Sequence, residues 1–168
     1  MDVLSHTIFR NDRRSRGGGV HATTPTGIPV HGSHDLEHSE LEGLFLELYL
    51  RRGSLLIGCV YCAPKFRNCS YTLLYAAQSN IDTNSVTDIV LFGGFNAHFD
   101  WCQHDEPLPR DAADDSLLDV VTSASLHQVC QHRSLAPQDQ PSFIDLVFVR
   151  KISRVTFYQV LPGLTGRT

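Results

Sequence analysis

The sequence predicts an α+β sandwich, because strand patterns come in runs, two of them pair as a hairpin, and only two short stretches carry helical spacing. Leu44, Leu46, Leu48 and Leu50 alternate with Phe45, Glu47 and Tyr49, the period-2 pattern of a strand with one well-buried face. Arg51-Arg52-Gly53 supplies a turn, and Ser54 to Tyr61 is then nearly all apolar, so the two segments form an antiparallel hairpin in a sheet covered on both faces. Asp88 to Phe92 is a buried strand that runs into Gly93-Gly94-Phe95-Asn96. Helical spacing appears at Ser70 to Gln78 (Leu73, Leu74, Ala77) and near Ser116 to Ser123 (Leu117, Leu118, Val121). Two isolated helices are too few for a doubly wound parallel sheet.

The remaining elements fall around these. Thr7 to Arg10 is a short strand, Asn11-Asp12 reads as a turn, and Gly17-Gly18-Gly19-Val20 bends the backbone without steric cost. Pro64 ends the hairpin. A polar loop carrying Asp100, Asp105, Glu106, Asp111, Asp114 and Asp115 precedes the second helix, and Phe143 to Val149 and Val155 to Val160 are two closing strands. With no internal repeat and no linker rich in Gly, Ser or Pro, residues 1–168 read as a single domain.

Composition narrows the class. At 42% hydrophobic and 19% charged, the chain has material for a real core, which excludes a disordered chain or a coiled coil. A formal net charge of −4 leaves no broad basic field for nucleic acid, so any such contact must be local. Of 14 cations 12 are arginine, and Arg10, Arg13, Arg14 and Arg16 crowd the start as either a phosphate-facing patch or a solvated loop. No apolar run approaches the ~20 residues that span a bilayer, and the polar, Arg-dotted start is unlike a signal peptide. The expected setting is intracellular, nuclear or cytoplasmic, with no membrane partner. Five irregularly spaced cysteines are expected to stay reduced.

Three segments place polar groups where chemistry is done. Val90 to His98 ends a buried strand in a Gly-rich turn at a sheet rim, where sites commonly sit. Gly58 to Pro64 sets Tyr61 at the end of a core strand, and Ser142 to Phe148 sets Asp145 within an apolar one. A buried carboxylate is costly unless paired, hydrogen-bonded or metal-bound, which makes Asp145 the strongest single candidate. Each has a plain structural alternative: Tyr61 as a buried ring with a bonded hydroxyl, Asn96 as a turn residue capping backbone groups, Asp145 as a carboxylate tied to amides.

Taken in order, these segments resemble the endonuclease/exonuclease/phosphatase superfamily, in the branch of non-LTR retrotransposon endonucleases associated with reverse transcriptase. Phe9 to Arg13 running into Arg16 to Val20 resembles the opening of that branch after its first motif, and Leu55 to Tyr61 its central hairpin. Leu91 to Trp101 resembles its Gly-Asp-Phe-Asn-Ala-His segment, and Val160 to Leu164 the lead-in to its final Ser-Asp-His motif. The resemblance implies a four-layer α/β/β/α sandwich of two mixed sheets, a DNase I-like fold, here incomplete. It further implies Mg²⁺-dependent hydrolysis of DNA phosphodiester bonds, with Tyr61, Asn96 and Asp145 as surviving catalytic positions and Asn96 as a weak candidate metal ligand.

Departures from the pattern fall on chemistry. Gly94 stands where the motif has Asp, and Gly166 and Arg167 stand where Asp and His are expected. The family's early metal-binding Glu segment is expected to lie before this chain and the Ser-Asp-His segment to be missing, so activity is expected to be impaired or lost. A sandwich short of those strands is expected to expose apolar surface and an edge, and so to self-associate. The rival class is a non-catalytic zinc-binding or interaction module built on Cys59-x-x-Cys62 and on His98, Cys102 and His104, with His127, Cys130 and His132 weaker. A degenerate fragment without activity is the third reading.

Overall fold

The structure is a computed structural model in which residues 5–12, 19–82, 84–99, 107–129 and 143–157 are described. Two strands, β1 (His6–Asp12) and β2 (Gly19–Pro25), pair antiparallel as a ribbon. Strands β3 (Val30–Gly32), β4 (Glu42–Leu50), β5 (Gly53–Tyr61), β6 (Val86–Ala97), β7 (His127–Gln128) and β8 (Phe143–Val149) form a six-stranded sheet in the order β3-β4-β5-β6-β8-β7. Helix α1 (Arg67–Ser79) carries the chain from β5 to β6, which pair parallel; among the described residues every other pairing is antiparallel. Helix α2 (Ala112–Ser123) follows β6.

Side-chain alternation gives the sheet two different faces. Leu56 and Val60 of β5, Ile89 and Leu91 of β6, and Leu146 and Phe148 of β8 point to a core shared with Tyr71 and Leu74 of α1 and Leu117 and Val120 of α2. The other face carries Leu44, Leu46 and Leu48 of β4 against Val20 of β2, with Phe9, Leu55, Ile57 and Cys59 packed around them. Burying each large apolar side chain contributes about 1.5–3 kcal/mol, so the helix-side core dominates stability. The described residues thus form three layers: helices, six-stranded sheet and ribbon. The central hairpin has the expected residues, pairing Glu42 with Tyr61 and Leu50 with Gly53.

Some elements differ from the sequence reading. Asn11 and Asp12 belong to β1 rather than to a turn, because the Asn11 Nδ2 donates to the Gly43 carbonyl oxygen at 2.7 Å and ties the ribbon to β4. Strand β2 shows its own period-2 signal, with Val20 and Thr24 buried and His21, Thr23 and Pro25 exposed. Residues Val155 to Phe157 are not a strand: they follow a 3-10 turn at Ile152–Arg154, whose first carbonyl takes the Val155 amide. The rest of that expected strand lies outside the described residues. Among the described residues the ribbon is antiparallel. Among the described residues no helix is long and apolar enough to cross a membrane.

Candidate functional site

Parallel strands β5 and β6 end at the same rim of the sheet, and antiparallel β8 begins there. Register then sets Tyr61 beside Gly94, and Gly94 beside Asp145. Glu42 of β4 lies on the other side of Tyr61, so Glu42, Tyr61, Gly94 and Asp145 form one row across four neighbouring strands. Paired residues share a face, and here it is the ribbon side of the sheet. Tyr61 and Asp145 are exposed. The expectation of a buried Asp145 is therefore corrected: Leu146 and Phe148 take the core side of β8, and alternation turns Asp145 outward.

Asn96 sits two residues beyond Gly94, past an irregularity in the β6–β8 pairing. Its backbone is left-handed, with φ of 53°, which Asn tolerates better than most residues. The side-chain Nδ2 donates to the Cys62 carbonyl oxygen at 2.8 Å, while the Cys62 amide donates to the Gly94 carbonyl oxygen at 2.8 Å. Asn96 thus fastens the β5–α1 connection to the end of β6. The three sequence candidates come to one rim, although 35 and 49 residues separate them along the chain.

Adjacent glycines at this rim have different reasons. Gly93 has φ of 140°, and an ideal Cβ there would lie 1.9 Å from the Val60 carbonyl oxygen, so only glycine lets β6 lie against β5. Gly94 is outside the left-handed region, and its Cβ would meet Tyr61 Cδ2 at 3.1 Å and Asp145 Oδ1 at 3.6 Å. The position where the resemblance expects an acid accordingly faces both Tyr61 and Asp145 and carries no side chain.

The row bears on whether a divalent ion fits. Neighbouring strands are about 4.8 Å apart, so the backbones of Glu42 and Asp145 are separated by about 14 Å, beyond what a Glu and an Asp can close on one ion at about 2.1 Å. With Gly94 between Tyr61 and Asp145, the described rim offers Mg²⁺ one carboxylate within reach of the motif position. No three His, Cys, Asp or Glu residues gather as a metal site among the described residues. These described residues do not fit the ion.

A network that sequence reasoning missed holds the rim from behind. Asp114 is fully buried at the start of α2 and accepts from Arg67 Nη1 at 2.9 Å, from the His98 amide at 3.1 Å and from the Arg110 amide at 3.2 Å. Arg67 Nη1 also donates to the Asn96 carbonyl oxygen at 3.2 Å, and its Nη2 pairs with Asp111. Asp111 caps α2, accepting from the amides of Ala113 and Asp114. Burial pulls the Asp111 carboxyl upward, but the Asp114 amide and the Arg67 guanidinium outweigh it and hold the group below the usual carboxylate range. The signal was present: Asp114 shares the face of Leu117 and Val121, at helical spacing, and is the one acid on that stripe. Glu42 carried a similar signal, since it has the parity of Leu44, Leu46 and Leu48.

The cysteine pair does not chelate. Three residues apart around a strand end, Cys59 packs on the ribbon side while Cys62 is buried in the helix-side core. Burial pushes the Cys62 thiol up to about 12, far from the thiolate that zinc requires. His98 is exposed beside Arg67, and His127 is exposed in β7; Cys102, His104, Cys130 and His132 lie outside the described residues.

A helix-backed mixed sheet with an antiparallel ribbon on its other face, and polar residues gathered where β5 and β6 end, is the DNase I-like arrangement of endonuclease/exonuclease/phosphatase proteins. The chain has that fold. Its structure is similar to the endonuclease domain of TRAS1, a telomere-specific non-LTR retrotransposon, with a TM-score of 0.62 at 15% identity over 85% of this chain and 66% of that one. It is also similar to D. rerio TDP2 complexed with single strand DNA product (TM-score 0.54, 11% identity, 88% and 62% covered). An endonuclease/exonuclease/phosphatase family protein from Bacteroides thetaiotaomicron matches with a TM-score of 0.51 at 12% identity, 88% and 62% covered. The chain therefore spans just under two thirds of these structures. No family model matches the sequence, and no curated protein matches it.

Proposed function

We propose that this chain is a derivative of a retrotransposon endonuclease in which Mg²⁺-dependent hydrolysis of DNA phosphodiester bonds is impaired or lost, leaving a DNA-facing domain. One observation carries the reading: Gly94 occupies the rim between Tyr61 and Asp145, at the motif position where the resemblance expects an acid. Hydrolysis needs a group to activate or orient water and a cation to neutralise charge on the phosphate, and a carboxylate here would serve both. Gly166 and Arg167, at positions expected to be Asp and His, point the same way. Losing one such group typically costs orders of magnitude in rate.

Tyr61 stands exposed at the rim where a phosphate would approach, and Asn96 keeps the β6 end in place. The likenesses to the TRAS1 endonuclease domain and to TDP2 with its DNA product support DNA as the ancestral substrate. The test is nicking of supercoiled plasmid by the purified chain, with Mg²⁺ and with EDTA. The expected result is no difference between the two. Multiple-turnover, Mg²⁺-dependent conversion to open circle would overturn the proposal.

A further inference from the structure

We infer that the end of the sheet opposite the rim carries a cationic cleft that takes the phosphodiester backbone of a nucleic acid. Two segments build it. The β4–β5 turn presents Arg51 and Arg52, and the stretch after β8 presents Arg150, Lys151 and Arg154. Both meet the start of β6: Gly53 lies so close to Thr87 that a Cβ there would fall 2.5 Å from its Cγ2, and Lys151 Nζ donates to the Thr87 carbonyl oxygen at 2.8 Å. Arg150 Nη1 reaches the Val86 carbonyl oxygen at 3.5 Å, and Arg154 pairs with Asp88 at 3.1 Å. Between the segments lies a cleft of about 250 Å³, with Leu55, Val90 and Val149 as its floor and Arg52, Lys151 and Arg154 at its mouth.

Charge decides what such a cleft accepts. Three cations, Arg52, Lys151 and Arg154, line the cleft, with Arg51 and Arg150 their neighbours in sequence, and among the described residues lining it Asp88, paired with Arg154, is the one carboxylate. Among the described residues no carboxylate pairs with Arg51, Arg52 or Lys151, and Lys151 is held by a carbonyl, which orients the ammonium without neutralising it. A solvated face would spread its charges among acids; in a chain of net charge −4 this end instead concentrates the positive ones. The apolar floor lowers the local dielectric and so strengthens each hydrogen bond to a phosphate oxygen at the mouth. Arginine's planar fork suits that group in particular. From Leu55 to Tyr61 is six residues of strand, about 20 Å, so this cleft is separate from the rim. The inference rests on the proposed function for the identity of the polyanion, not for the existence of the site.

The test is fluorescence anisotropy of a labelled DNA duplex, titrated with the natural chain across about 50 to 200 mM salt. Arg51→Glu/Arg52→Glu is expected to weaken binding about tenfold or more and to flatten the slope of log affinity against log salt by about 0.9 for each phosphate no longer neutralised. Lys151→Gln, a milder change, is expected to flatten the slope by about 0.9, the equivalent of one phosphate. Thermal melts matching the natural chain establish that the variants fold. Equal duplex binding by all three proteins, or displacement by inorganic phosphate with no duplex affinity, would overturn the inference. Duplex held at the cleft by a chain that nicks plasmid with Mg²⁺ over multiple turnovers would overturn the proposed function and leave this inference standing.

Discussion

Gly93→Ala is expected to lower stability by about 4 kcal/mol or more and the melting temperature by roughly 10 °C or more, among the largest effects available to a single methyl group. The added carbon meets the Val60 carbonyl oxygen at 1.9 Å, and backbone, unlike the end of a flexible side chain, cannot swing aside. The φ of 140° adds strain that L residues rarely accept. Relief requires parting β5 from β6, the parallel pair around which the sheet is built. Gly94→Ala is the control, since it has neither the left-handed backbone nor a backbone clash. Urea denaturation reads both. A loss within 1 kcal/mol for Gly93→Ala, about the cost of an average substitution, would show that the strands are not registered as described.

The second large effect belongs to Asp114. Replacing this fully buried carboxylate with Asn keeps the shape but removes the charge that faces Arg67, whose side chain is only 13% exposed. Breaking a buried pair from one side costs about 3–5 kcal/mol, because the partner is left charged and undersolvated. The loss should spread along the network. Arg67 also holds the Asn96 carbonyl oxygen, and Asp114 the His98 amide, so faster amide exchange is expected at His98 and through the start of α2. Arg67→Met combined with Asp114→Asn should cost less than the sum of the two single changes, as expected for coupled residues. Additive losses and unchanged exchange at His98 would contradict the network.

How far the sequence reveals this molecule depends on which residues are asked. The β4–β5 hairpin is legible because Leu44, Leu46, Leu48 and the apolar run after Ser54 state period, turn and burial together. The end of β6 is less so: Gly93-Gly94-Phe95-Asn96 looks like a turn, yet the strand continues through it to Ala97, because the left-handed glycine is absorbed by close approach to Val60. Site placement follows from strand order. Tyr61, Asn96 and Asp145 come to one rim because parallel β5 and β6 end where β8 begins, and no local signal carries that. Exposure of Asp145 was hidden by its apolar neighbours, which serve two faces of one strand. The stripe of α2 marks Asp114 as an inward-facing acid, but its pairing with Arg67 cannot be read from either segment, because the partners of the two come from separate elements.

Gly94→Asp offers the most direct test of the claim that this rim has lost its chemistry. The backbone there is outside the left-handed region, the nearest atom to a new Cβ is on the partly exposed Tyr61 side chain rather than on backbone, and the new carboxylate would stand next to that of Asp145. Folding is therefore expected to survive. Two carboxylates still fall short of the oxygens that hold and orient a divalent ion, and Gly166 and Arg167 supply none. The measurement is single-turnover nicking of supercoiled plasmid at millimolar Mg²⁺, beside a version that also carries the family's N-terminal segment and a Ser-Asp-His segment. The account predicts that Gly94→Asp alone leaves the plasmid supercoiled, as the natural chain does. Robust nicking by the point variant would contradict it, because one carboxylate would then be all that separates this chain from an active endonuclease.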